Sequence, residues 1–246
     1  MKMKKIPTAI LILLIFFSQF ALSFSPTTKE RMYKYVLKSL PPSLRELFPT
    51  KLTLKSTNID YKSKNEIFNK IKILTKEQIE DLKGFPNFKV VIERFLKIFH
   101  LFAQLDDFSS FIKFSGKNYP QEYALDFERF LNLKRDKFVP IFYGFSRDLF
   151  LKSDPDSFLN SIWERNEKFY SNLILQYEKG GNSYTFDERS AAFGIASIMF
   201  SRTITDTVNI IVYIWWKSNG DISKTPFFKF PPIYYKTKKG DKNVKN

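Results

Sequence analysis

Between residues 87 and 115 apolar side chains recur at helical steps. Phe88, Val91, Ile92, Phe95, Phe99, Phe102 and Leu105 fall three and four residues apart, the period of a helix with a buried face. Asn87 is placed to cap its start. Apolar residues cover more than one stripe, which predicts a central, largely enclosed helix. One polar line interrupts it. Seven residues of helix make about two turns, so His100, Ala103, Gln104 and Asp107 fall on one face.

The same period predicts helices on either side. Met32, Tyr35, Val36, Leu37 and Leu40 form an apolar face behind Thr27 and Glu30, which have capping-box spacing. Pro41-Pro42 ends that helix, and Ser43 with Glu46 repeats the box ahead of a short helix closing near Pro49. Residues 50–66 are polar and aperiodic, the pattern of a loop with a brief extended piece at 51–55. Two helical pieces follow, 67–74 and 76–82, before Gly84-Phe85-Pro86 breaks the chain. Pro120 suits an early helical position, with Tyr123, Phe127, Phe130 and Leu131 on the buried side as far as Lys134. Pro140 interrupts 138–151, and Asp154-Pro155 reads as the cap and first position of a helix over 156–178. After the turn Gly180-Gly181-Asn182, a third box at Thr185 and Glu188 opens a long apolar helix running to Lys217.

Arg202 and Asp206 in the middle of that helix argue against a membrane span. They stand four apart, the spacing of an intrahelical ion pair. No repeat and no strand-dominated region is visible. The prediction is an all-α, multi-helix domain over 24–218. An extended aromatic and proline strip over 219–235 is expected to lie against it, followed by a basic tail at 236–246.

Composition narrows the chemistry. A hydrophobic share of 43%, with 28 Phe against 8 Gly, supplies a full core and excludes a disordered chain. The absence of cysteine removes disulfides, thiolate zinc sites and cysteine nucleophiles together, and a single histidine strains both a His-rich metal site and a Ser-His-Asp triad. No phosphate-binding glycine loop and no Gly-x-Ser-x-Gly elbow is present. The opening reads as a signal peptide over 1–23: Lys2, Lys4 and Lys5 form a basic head, residues 10–17 an apolar core, and Ala21-Leu22-Ser23 a small-x-small cleavage site. Export to a periplasmic or extracellular place is therefore expected, with Phe24 first in the mature chain and no transmembrane span after cleavage. Net charge is +15, and losing the three lysines of the head leaves +12. That balance suits an anionic partner (a phospholipid headgroup, nucleic acid or acidic polymer) and peripheral membrane contact, or serves solubility alone.

The mature start, FSPTTKERMYKYVLKSLPPSLRELF, resembles the beginning of the superfamily that joins zinc-dependent phospholipases C to the single-strand-specific zinc nucleases. Members begin Trp-Gly-Pro-x-x-His and carry an amphipathic helix ending in Leu-Pro-Pro-x-Leu. Pro26 matches, Phe24 takes the Trp place, and Lys29 falls on the ligand His. A Pro-Asp loop corresponds to Asn58-Ile59-Asp60. A central His-x-x-x-Asp falls on Ala103 and Asp107, and a later His-x-x-x-Glu on Ala124 and Glu128. The resemblance runs to about residue 130.

It implies a phospholipase C/nuclease-like bundle whose metal set would be Phe24 (through its backbone), Asp60, Asp107 and Glu128. The carboxylates remain and the imidazoles are gone. A zinc site needs neutral His nitrogens, and Lys29 sets a positive charge where the metal's belongs. The resemblance thus implies a protein without cofactor and without catalysis, in which Lys29 pairs with Asp60 or Asp107. Lys29, Gln104 and Arg202 then become candidate contacts for an anionic ligand or partner. The alternative is a divergent metal-dependent phosphodiester hydrolase holding Mg²⁺ or Ca²⁺ on oxygen ligands, zinc being less expected. Asp107, Asp60 and His100 are its candidate catalytic residues. A third reading is a structural envelope protein that docks through its basic surface.

Overall fold

Helices carry the whole of the structure, a computed structural model in which residues 24–52, 61–84 and 86–226 are described. They are α1 (Pro26–Ser39), α2 (Pro42–Arg45), α3 (Lys64–Lys83), α4 (Phe88–Leu105), α5 (Phe108–Phe114), α6 (Gln121–Lys134), α7 (Pro155–Glu178) and α8 (Ala191–Lys217). A 3-10 turn at Arg135–Lys137 and a π turn at Asp148–Lys152 complete them, with no strand among the described residues. The fold is an all-α bundle. The signal segment 1–23, Asp60, most of the aromatic strip and the basic tail lie outside the described residues.

The element at the centre is α8 rather than the histidine-bearing segment. From Met199 to Ile214 every residue of α8 except Arg202 is buried, and α1, α3, α4 and α7 pack around it. It is long and apolar enough to cross a membrane, and 83% of its most apolar window is buried within the bundle. On α4, Phe95, Ile98, Phe99 and Phe102 face inward, while Phe88 at its start is 48% exposed. A buried phenylalanine contributes about 1.5–3 kcal/mol, so this face is a main anchor of α4.

The caps differ from the spacing rules at three places. Ser25, one residue before Pro26, caps α1 by accepting the Thr28 N–H (3.3 Å), so Thr27 and Glu30 form no box. At α2 the cap position is Pro41, and Ser43 Oγ instead donates to the carbonyl of Asp221 (3.2 Å). Thr185 closes a turn on Asn182, accepting its N–H at 2.9 Å, and Ser190 caps α8 by accepting the Phe193 N–H (3.2 Å). Asn87 and Asp154 cap α4 and α7 as the spacing predicts. The two pieces expected at 67–82 are one helix, because Thr75 returns its hydroxyl to Ile71 O (2.8 Å) and stays inside α3.

The segment expected as one helix from 87 to 115 is two. Asp107 leaves helical geometry (φ −87°, ψ 140°) and its carboxylate accepts the N–H groups of Ser109 and Ser110. A side-chain acceptor at that point replaces the carbonyls that a continuous helix would offer, so α4 stops and α5 begins.

Residues 138–147 form a strap along α8, held like a strand whose partner is a row of side chains. Ser201 Oγ accepts Ile141 N–H (3.1 Å), Thr205 Oγ1 accepts Tyr143 N–H (3.1 Å) and Asn209 Oδ1 accepts Ser146 N–H (2.5 Å). Four helical residues rise about 6 Å, and two extended residues advance about 6.6 Å, so Ser201 and Thr205 stay in register with alternate amides. Each of the three also donates to the carbonyl four residues back. Gly144, at φ +94°, turns its carbonyl onto Asn209 Nδ2 (3.1 Å), a conformation that side chains disfavour.

Candidate functional site

Four of the predicted site residues share one electrostatic neighbourhood: Lys29 on α1, His100 on α4, Asp107 at the α5 cap and Glu128 on α6. Burial lowers the Lys29 pKa, and the carboxylates of Asp107 and Glu128 partly restore it. Lys29 closes no ion pair shorter than 4.0 Å with either of them. His100 is pushed down to about 4 by burial and then by the Lys29 charge, so it is neutral at physiological pH. Burial raises Asp107, opposed by the Ser109 hydroxyl and by Lys29. Glu128 is raised by burial and by Asp107, opposed by Lys29.

These residues do not fit zinc. Lys29 stands where the resemblance calls for a ligand His, Ala103 and Ala124 present buried methyl groups where it calls for imidazoles, and one Asp107 oxygen is engaged by Ser109 and Ser110. Among the described residues no three of His, Asp and Glu converge as a metal site. Phe24 is packed in the core, and Gln104 is half-buried, its carbonyl accepting the Asp107 N–H (3.3 Å). Neither carboxylate of the Asp106-Asp107 pair faces solvent: they are 0% and 6% exposed.

A second cluster, centred on Arg165 of α7, joins α4, α7 and α8. Arg165 Nη2 donates to Asp106 Oδ1 (2.9 Å) and Nη1 to Asp206 Oδ2 (2.7 Å). The pair expected between Arg202 and Asp206 is therefore absent; Asp206 turns to Arg165, whose fork bridges two carboxylates that are both buried. Asn166 Nδ2 donates to Asp106 Oδ1 (2.9 Å) and to the Leu105 carbonyl (3.1 Å), and the Tyr170 hydroxyl donates to the Asp106 carbonyl. Asp106 Oδ2 has no hydrogen-bond partner. Burial raises Asp106 to about 6, with Arg165 pulling down and Asp206 pushing up. Asp206 is also raised by burial, against the pull of Arg165. For Arg165 the two carboxylates outweigh the effect of burial and raise its pKa.

Arg202 stands apart from this network. Its guanidinium lies 3.9 Å from the centroid of the Tyr143 ring, makes no hydrogen bond with a described residue, and keeps a buried, unpartnered Nε. It lines a cleft of about 280 Å³ together with Tyr143, Ser146, Ser161, Arg165 and Asp206. Of the predicted ligand residues, then, Lys29 and Arg202 belong to different places in the bundle. Arg165 and Asn166 went unread in the sequence, although Asn166 interrupts the apolar stripe Ile162, Tyr170 and Leu173, a signal of a buried polar contact. No family model, no curated protein and no solved structure matches the chain, so its own residues carry the functional reading.

Proposed function

We propose that this is an exported, non-catalytic protein with a phospholipase C-like helical fold that binds an anionic ligand. The observation that carries the reading is the Lys29 ammonium in the shared field of Asp107 and Glu128. A metal in such a place serves as a concentrated positive charge and as a generator of bound hydroxide. An ammonium supplies the charge alone. It balances two carboxylates that would otherwise repel each other, so the fold is kept while the hydrolytic chemistry is given up. Neutral His100 adds no charge, and Asp107 is committed to starting α5. The anionic ligand is supported by the net charge of +15, of which three lysines belong to the expected signal head, and by the buried Arg202 Nε, which has no hydrogen-bond partner among the described residues.

The test is turnover of a chromogenic phosphodiester by the mature chain, with Zn²⁺, Mg²⁺ and Ca²⁺ added separately, beside calorimetric titration with each ion. No turnover and no stoichiometric uptake are expected. Metal-dependent turnover that disappears in Asp107→Asn would instead make the chain a hydrolase using its carboxylates.

A further inference from the structure

We infer that the cleft between the 138–147 strap and helices α7 and α8 is a binding site for an oxyanion, a phosphate or carboxylate group on a small polar molecule, with Arg202 as its principal donor. This deepens the reading of the chain as an anion binder and rests on it. Several features of the cleft converge on that chemistry. Arg202 is the one residue between Met199 and Ile214 of α8 that is not buried, and it lines the cleft beside Asp206 without a hydrogen bond to it. Its guanidinium lies 3.9 Å from the Tyr143 ring centroid, a cation–π contact that holds it at the cleft wall. The Tyr143 backbone is tied to α8, its N–H donating to Thr205 Oγ1 (3.1 Å).

The guanidinium is thus held at the cleft wall by its contact with Tyr143. A planar fork of donors matches a carboxylate or phosphate in two parallel hydrogen bonds. An unsatisfied buried donor is costly, and the Nε of Arg202 is one; a bound anion beside it supplies the missing negative charge.

Asp206 also lines the cleft; its hydrogen bond goes to Arg165 (2.7 Å) and the Arg202 charge acts on it only through space, so the Arg202 donors are left without a hydrogen-bonding carboxylate among the described residues. Ser146 adds a hydroxyl to the lining, whereas that of Ser161 donates to the Phe158 carbonyl (2.7 Å). At about 280 Å³ the cleft is slightly smaller than the range for drug-sized ligands, about 300–1,000 Å³. Water takes about 30 Å³ per molecule, so an oxyanion with a compact polar body fills the space, and a polymer enters only by one terminal group.

The experiment is isothermal titration of the mature chain with inorganic phosphate and, separately, with succinate, which distinguishes a phosphate source from a carboxylate one. Saturable binding of one anion per chain is expected for at least one of the two. Arg202→Met should weaken it about ten- to hundredfold, the loss of a charged hydrogen-bonding partner. Ser161→Trp, at the exposed mouth, should block the cleft without changing charge. Lys29→Met should bind as the wild type does, since Lys29 lies in the other cluster. Thermal melts of each variant confirm folding. Binding that survives Arg202→Met and Ser161→Trp, or no binding of either anion at millimolar concentration, overturns the site. The metal and turnover assays above are independent of this outcome, so the two readings fail separately.

Discussion

Replacing Arg165 with methionine should destabilise the protein more at neutral pH than in mild acid. Arg165 Nη2 and Nη1 stand 2.9 Å and 2.7 Å from Asp106 and Asp206, which are 0% and 5% exposed in their side chains. Removing the cation leaves two buried carboxylates facing each other without compensation. Breaking a buried pair this way costs about 3–5 kcal/mol. In a chain of this size each kcal/mol lowers Tm by about 2–4 °C, so a fall of roughly 6–20 °C is expected at pH 7.5. Arg202, four residues before Asp206, is able to swing toward it, which places the outcome at the lower end. Asp106 already titrates at about 6 with Arg165 present; without the guanidinium it holds its proton to higher pH. At pH 5 the Asp106 carboxyl is neutral, burial shifts Asp206 in the same direction, and the penalty should shrink to less than half. Urea denaturation followed by circular dichroism at both pH values measures this. A cost below about 1 kcal/mol at pH 7.5, the size of a surface pair, or an equal cost at both pH values would refute the buried-network reasoning.

Two further outcomes are expected. His100 is lowered from 6.5 to about 4, so the unfolded chain binds a proton that the folded chain refuses. Its contribution is present above pH 6.5 and lost as pH falls through 4, about 3 kcal/mol in all at 1.36 kcal/mol per unit. His100→Phe should therefore flatten the stability profile between pH 6.5 and 4, and an unchanged slope in pH-dependent melts would remove the cause. Asn209→Ala takes away the acceptor of Ser146 N–H and the donor to Gly144 O. Each unsatisfied group costs about 1–3 kcal/mol when buried, and limited proteolysis should open the chain within 138–147 before any other segment; cleavage elsewhere first would contradict the strap's dependence on α8.

The helices were legible where apolar period and cap coincide: Asn87, Asp154 and the stretch ending at Lys134 all stand where the spacing puts them. The misread helix boundaries have one main physical source, which is competition for short polar side chains. Ser25 takes the cap that Thr27 seemed suited to, Ser190 takes that of Thr185, and Asp107 starts a new helix inside an unbroken apolar pattern. Periodicity reports which face is buried and is silent on which oxygen accepts a given amide. The Lys29, Asp107 and Glu128 grouping was readable because the resemblance aligned them. The Arg165 network and the strap were not, since their contacts join residues about 60 apart in the chain. Ser201, Thr205 and Asn209, recurring every four residues on an apolar helix, were the visible trace of the strap.

The central claim is that the Lys29 ammonium stands in for a metal. Metal content by mass spectrometry, on the mature chain expressed with zinc supplied and purified without chelator or an N-terminal tag, tests it most directly. Wild type should carry no stoichiometric zinc, and its Tm should not respond to added zinc. Zinc bound in stoichiometric amount, with Tm rising on addition and the effect lost in Asp107→Asn, would contradict the claim.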